Sequence, residues 1–247
     1  MNVATARDDL PDEVRRLAGA WFALALFALG MSALLAIVLV AARSPFLGLG
    51  GSFFRTALVL HVNLGVVVWF LAAAAGVWTL LRARADRVGR AVLMLAVLSV
   101  SAMLAAPVLG GPPPVLANYV PVLDSPVFLG GLAGFLLSVV GAGVLSMTGG
   151  WSVPATGHRQ AARWAVLAMA MATAVFAIDQ VRAGSSHLIL PVTLDDQLWG
   201  TGHLLQFVHD LLMMSAWMLL GRRFLDAVPG LARRVPWLLA LTALATL

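Results

Sequence analysis

WGTGHLLQFVHDLLMMSAWMLL, residues Trp199–Leu220, is the stretch whose reading decides the fold. It is long enough to cross a bilayer as a helix, for which about 20 residues suffice. Yet it carries His203, Gln206, His209 and Asp210. Ionisable side chains at membrane depth are costly, so they mark a site by default. A second apolar stretch, Thr56–Leu81, holds His61 and, two residues on, Asn63. Two histidines on two spanning helices are the raw material of a haem or metal centre.

Composition supports the membrane reading. Of 247 residues, 61% are hydrophobic and 11% charged, and the mean hydropathy is +0.95. A soluble domain carries about 25% charged residues. The absence of cysteine excludes thiolate ligation, disulfides, iron–sulfur clusters and covalent haem attachment. The +5 net charge comes from arginines placed in short connections between apolar runs, which points to topology rather than to nucleic acid.

Apolar runs occur at about Trp21–Ala42, Thr56–Leu81, Ala91–Leu109, Val127–Met147, Ala161–Ile178 and Leu198–Leu220. Another starts near Val235 and reaches Leu247 while still too short to span. The sequence thus predicts an all-α polytopic transmembrane bundle of six full spans plus a truncated seventh, the N-terminal portion of a longer protein. A polar arm, residues 1–18, precedes a membrane domain, residues 19–247. A cytoplasmic N-terminus puts 13 of the 16 arginines inside and leaves Arg43, Arg55 and Arg182 outside, as the positive-inside rule requires. Trp21, Trp78, Trp164 and Trp217 fall near inner span ends and Trp199 near an outer one, the positions of interfacial anchors. At 1.5 Å per residue, His61 and His203 both come roughly 8–10 Å outward of the bilayer centre.

On a helix His203, Gln206 and Asp210 share a stripe, while His209 points roughly 240° away and is a poor co-ligand. Asp210, the acid near the midplane, suits a proton relay or a pairing with a cation on another helix. His61 is open to two readings, a ligand or a structural histidine bonded to a carbonyl of a neighbouring helix. Gly200 and Gly202 beside His203 admit a bulky planar group or a close backbone. Gly130, Gly131 and Gly134 permit close helix approach at the start of the fourth span. His158, His187, Asp195 and Asp196 are read as loop residues, and Asp179 as interfacial. Spacing alone leaves a b-type haem protein and a transporter with a histidine-lined path both standing.

RTALVLHVNLGVVVWFLAAAAGVW, Arg55–Trp78, resembles helix two of the haem-copper oxidase subunit I superfamily. GTGHLLQFVHDLLMMSAW, Gly200–Trp217, resembles helix six of its C-type and nitric-oxide-reductase-like branches, and NYVPVLDSPVF, Asn118–Phe128, the segment leading into helix four. The resemblance covers essentially the whole chain, or the first half of a twelve-helix subunit. It implies that His61 is an axial ligand of a low-spin haem, haem b or a related type. His203 would be one of three histidines on the copper that faces a high-spin haem. It further implies reduction of dioxygen to water in a bacterial plasma membrane, with electrons from cytochrome c or quinol and with other oxidase subunits as partners. The position four residues after His203, a tyrosine in many members, is Phe207 here, and the one tyrosine is Tyr119. Nitric oxide reduction with non-haem iron in place of copper, which uses glutamates near the metal, is the alternative within the superfamily. The one glutamate here is Glu13. A paralogue that kept the helices and lost the metals is the alternative outside it.

Overall fold

The computed structural model describes residues 10–44, 50–82, 84–148, 157–183 and 191–221. Six long helices follow in order: α1 (Asp12–Ala42), α2 (Gly51–Leu80), α3 (Arg87–Ala105), α4 (Pro126–Thr148), α5 (Gly157–Ala183) and α6 (Pro191–Leu220). α2 is α-helical at both ends and contains a π-helical segment, Asn63–Val68, at its centre. α3 ends in a short 3₁₀ turn and then Gly110 and Gly111, both at positive φ, where a Cβ would strain the backbone. A two-stranded antiparallel hairpin follows, β1 (Pro114–Val115) and β2 (Val122–Leu123), with Pro114 opposite Leu123.

This is an all-α membrane bundle. Five of its helices are long and apolar enough to cross a bilayer: α1, α2, α3 with its 3₁₀ turn, α4, and Ala161–Ile178 within α5. α6 stands apart because His203, Gln206, His209 and Asp210 interrupt its apolar run. The expected seventh segment lies outside the described residues, as does His187.

Helices pack as sequence neighbours, α1 on α2, α3 on α4 and α5 on α6, and α2 also touches α4 and α6. α2 is therefore the central helix. Leu64, Leu71 and Trp78 from it are fully buried, with Trp21 from α1 and Phe128 and Phe135 from α4. Close approach of α3 and α4 depends on glycine, since a Cβ at Gly131 would lie 2.7 Å from the Ser99 carbonyl oxygen. Side chains such as Leu26, Leu34 and Ile37 of α1 and Leu137 of α4 face outward, as lipid requires.

Several expectations are corrected. α1 starts at Asp12, inside the expected arm, because Val14, Leu17 and Ala18 form one buried face at helical spacing. Trp21 and Trp78 are core residues rather than interfacial anchors; Trp78 Nε1 donates to the Ala162 carbonyl at 3.2 Å. Trp199 and Trp217 are exposed. α5 and α6 extend beyond the apolar runs, so His158 lies in the first turn of α5 and Asp195 and Asp196 in the first turns of α6, while Asp179 lies near the end of α5, as expected.

The α2–α3 connection is tied by charge. Asp86 caps α3, its Oδ1 accepting from the Gly89 N–H at 2.7 Å, and its Oδ2 accepts from Arg82, which is 2% exposed, at 2.8 Å. The Gly89 N–H, and then the Arg82 guanidinium, hold the Asp86 carboxyl below its usual range against the opposing effect of burial. A depressed folded pKa contributes stability that is present above the ordinary carboxylate range and lost as pH falls through the depressed value. Asp86→Asn should therefore flatten the acid limb of a stability–pH profile in detergent and leave the neutral region less stable. Gly131→Ala should cost about 1–3 kcal/mol through overpacking, read from unfolding in mixed micelles.

Candidate functional site

The site is built at the end of the bundle that carries the hairpin. His61 belongs to α2, two residues before the π segment begins. It is half-buried and meets Ser32 of α1, which is buried. Ser32 Oγ donates to the His61 carbonyl at 2.9 Å, and His61 Nδ1 lies 2.9 Å from the Ser32 carbonyl and 3.0 Å from its Oγ. Carbonyl oxygens only accept, so Nδ1 carries a proton, and in the neutral ring Nε2 is then the bare nitrogen. The serine fits because residue 65 is glycine; a Cβ there would lie 2.5 Å from Ser32 Oγ.

His203 reaches the same tautomer by another route. Its Nδ1 lies 2.7 Å from the Trp199 carbonyl, one turn back on α6, which again places the proton on Nδ1 and leaves Nε2 free. The ring forms a triangle with those of Tyr119, at 5.5 Å between centroids, and Trp199, at 4.7 Å. Tyr119 fills the space that Gly202 leaves; a Cβ at 202 would come within 2.9 Å of its ring. The planar group admitted by the glycines beside His203 is thus the chain's own tyrosine. Gly200 instead faces Val175 of α5.

The hairpin ties the two histidine helices together. Asn63, fully buried on α2, donates from Nδ2 to the Val59 carbonyl at 2.9 Å and to the Pro121 carbonyl at 2.7 Å. Asn118 donates from its backbone N–H and from Nδ2 to the two carboxylate oxygens of Asp195 on α6. Tyr119 packs T-shaped on Trp199. Asn118, Tyr119, Asp195, Asp196 and Trp199 together line an open cavity of about 560 Å³.

Below this layer the polar residues of α6 diverge. His209 is on the bundle side, stacked on Phe70 of α2 at 4.4 Å, with its Nε2 buried and without a partner among the described residues. Gln206 and Asp210 are exposed on the other face. Among the described residues no three histidine, aspartate or glutamate side chains converge on one point.

Sequence reasoning missed Ser32 and the role of Tyr119. A lone serine in the apolar run of α1 is the signal that marks Ser32; nothing local marks Tyr119, whose contact depends on the fold of the hairpin. Histidine NMR with ¹⁵N should show His61 and His203 both as Nδ1–H tautomers, and Ser32→Ala should shift the His61 ring signals while leaving those of His203 in place.

Comparison with known proteins finds no matching family model and no matching solved structure. A protein of Rickettsia prowazekii (strain Madrid E) described as uncharacterized is 42% identical over 65 residues. The aligned segment is 25% of this chain and 13% of that protein.

Proposed function

We propose that this chain is the N-terminal half of a haem-copper oxidase subunit I-like protein of a bacterial plasma membrane, with a cytoplasmic N-terminus. α6 is then a sixth spanning helix, and a seventh begins near Val235. His61 would hold the iron of the low-spin haem and His203 would be one of the histidines on the copper, the remaining ligands coming from helices that the resemblance places after α6. The whole protein reduces dioxygen to water with electrons from cytochrome c or a quinol.

One observation carries the reading. Both imidazoles have Nδ1–H committed to a main-chain carbonyl, and neither Nε2 has a partner among the described residues. Metal-bound histidines show this arrangement, because the second hydrogen bond fixes the tautomer, orients the ring and raises the basicity of the ligating nitrogen. The donor set also fits: neutral imidazole suits both haem iron and copper. The groups supply electron transfer and dioxygen binding; the chain's own residues supply position. Ser32 fixes the His61 ring, Trp199 and Tyr119 fix that of His203, and Asn63 holds the loop that delivers Tyr119. A structural histidine also explains the bond to Ser32, but it does not by itself explain a matching arrangement on a second helix.

Reduced-minus-oxidised spectra of the full-length protein in membranes should show b-type haem bands. His61→Ala should abolish the low-spin signal. His203→Ala should leave that signal and remove oxygen consumption, while Ser32→Ala should keep the haem with roughly 10-fold or more loss of activity. A full-length protein whose spectrum has no haem bands would overturn the reading.

A further inference from the structure

The end of the bundle opposite the hairpin gathers arginine. α1 brings Arg15 and Arg16 there, the α2–α3 connection brings Arg82 and Arg84, and α3 brings Arg87 and Arg90. One contact draws the three segments together. A Cβ at Gly89 would lie 2.8 Å from Arg82 Nη1 and 3.1 Å from Leu17 Cδ2, so the first turn of α3 rests on α1 and on the residue that ends α2. Arg16 is the neighbour of that contact on α1, and Arg87 and Arg90 flank it on α3.

The charge at this end is unbalanced. Asp12 pairs with Arg15 and Asp86 with Arg82, and Glu13 is the one other acid in these described segments. Arg16, Arg84, Arg87 and Arg90 are exposed and have no partner among the described residues. Arg82 is buried, and its Nε is without a partner even with Asp86 in place. At the hairpin end, by contrast, Arg43 lies over the ring of Phe54, 5.4 Å from its centroid. The face of α3 that follows the free arginines is apolar. Met94 and Leu98, one and two turns past Arg90, are both exposed. One stripe of the helix thus runs from guanidinium to hydrocarbon within about 12 Å. That order matches a phospholipid, whose phosphate takes paired N–H donors from arginine and whose acyl chains lie along apolar side chains. Basic pockets between spanning helices bind anionic head groups in this way. A soluble anion would meet the arginines and leave the apolar part of the stripe unused.

We propose that this end of the bundle holds an anionic phospholipid, its phosphate on Arg87 and Arg90 with Arg16 and Arg84 alongside, and its acyl chains along Met94 and Leu98. Asp86 keeps Arg82 from the lipid and fixes the turn that presents the other guanidiniums. The inference uses the bundle's place in a bilayer, and neither the metal centres nor the direction of the N-terminus enters it.

The chain has no cysteine, so a single fluorophore can be placed without background. Full-length protein labelled at Met94→Cys, or at Leu34→Cys on the outward face of α1, is reconstituted in phosphatidylcholine liposomes. These contain a minor fraction of either phosphatidylglycerol or phosphatidylcholine with brominated acyl chains, which quench on contact. We expect brominated phosphatidylglycerol to quench residue 94 several-fold more effectively than brominated phosphatidylcholine, and the two to act alike at residue 34. Arg87→Gln with Arg90→Gln should remove the preference at residue 94, and Arg87→Lys with Arg90→Lys should retain it. Equal quenching of residue 94 by the two lipids, or a preference that survives the glutamine pair, would overturn the proposal. So would an equal preference at residue 34, which reports anionic lipid gathered around the whole protein. Loss of the preference on adding inorganic phosphate to both sides of the membrane would assign the arginines to the free anion and overturn the lipid.

Discussion

The hydrogen bond from Asn63 Nδ2 to the Pro121 carbonyl is the constraint on which the geometry of this end of the bundle depends. A proline-rich segment has few N–H groups and many carbonyls, and buried carbonyls without donors are costly. Asn63, fully buried in an apolar helix, brings the missing donor to the hairpin. From that fixed point the next steps follow along the chain. Pro121 fixes the hairpin, the hairpin carries Tyr119 to the Gly202 gap, and Tyr119 bounds the ring of His203. A residue of α2 thus helps to set a side chain on α6 that it does not touch.

The same turn of α2 bears a second constraint. The π segment Asn63–Val68 follows His61 within two residues, and Gly65 inside it leaves room for Ser32. A π turn spreads its residues by about one extra position per turn, so side chains after it are rotated relative to those before. His61 faces α1 on one side of the segment, and Phe70 faces His209 of α6 on the other. The irregular turn lets one helix serve two neighbours at two depths. Such segments recur at functional sites.

What the sequence makes legible follows from the length scale of each signal. Hydropathy over a span locates the helices because twenty apolar residues leave little else to form. Helical spacing separates His209 from the stripe of His203, Gln206 and Asp210, and the structure turns His209 to Phe70 of α2 while Gln206 and Asp210 are exposed. Tryptophan near the end of an apolar run is ambiguous, for it suits either an interface or a core; Trp21 and Trp78 take the core because α1 begins earlier and α5 supplies Ala162 as acceptor. Ser32 against His61 and Tyr119 against Gly202 are contacts across 29 and 83 residues of chain, and no local pattern encodes a partner so distant. The glycines beside His203 announce that something flat comes close without saying what.

The two imidazoles reach one tautomer by unlike means, and the difference has a consequence. His203 borrows a carbonyl from its own helix, so its orientation moves with α6 as a unit. His61 borrows from α1, so its orientation depends on how two helices pack, with Gly65 setting the distance. A small change at the α1–α2 contact therefore turns the His61 ring and leaves that of His203 where it was. If each holds a metal, the protein can tune the two centres separately: the first through packing between helices, the second through the aromatic residues around its ring. A serine and a glycine on adjacent helices are then as much a part of the centre as the histidine they hold.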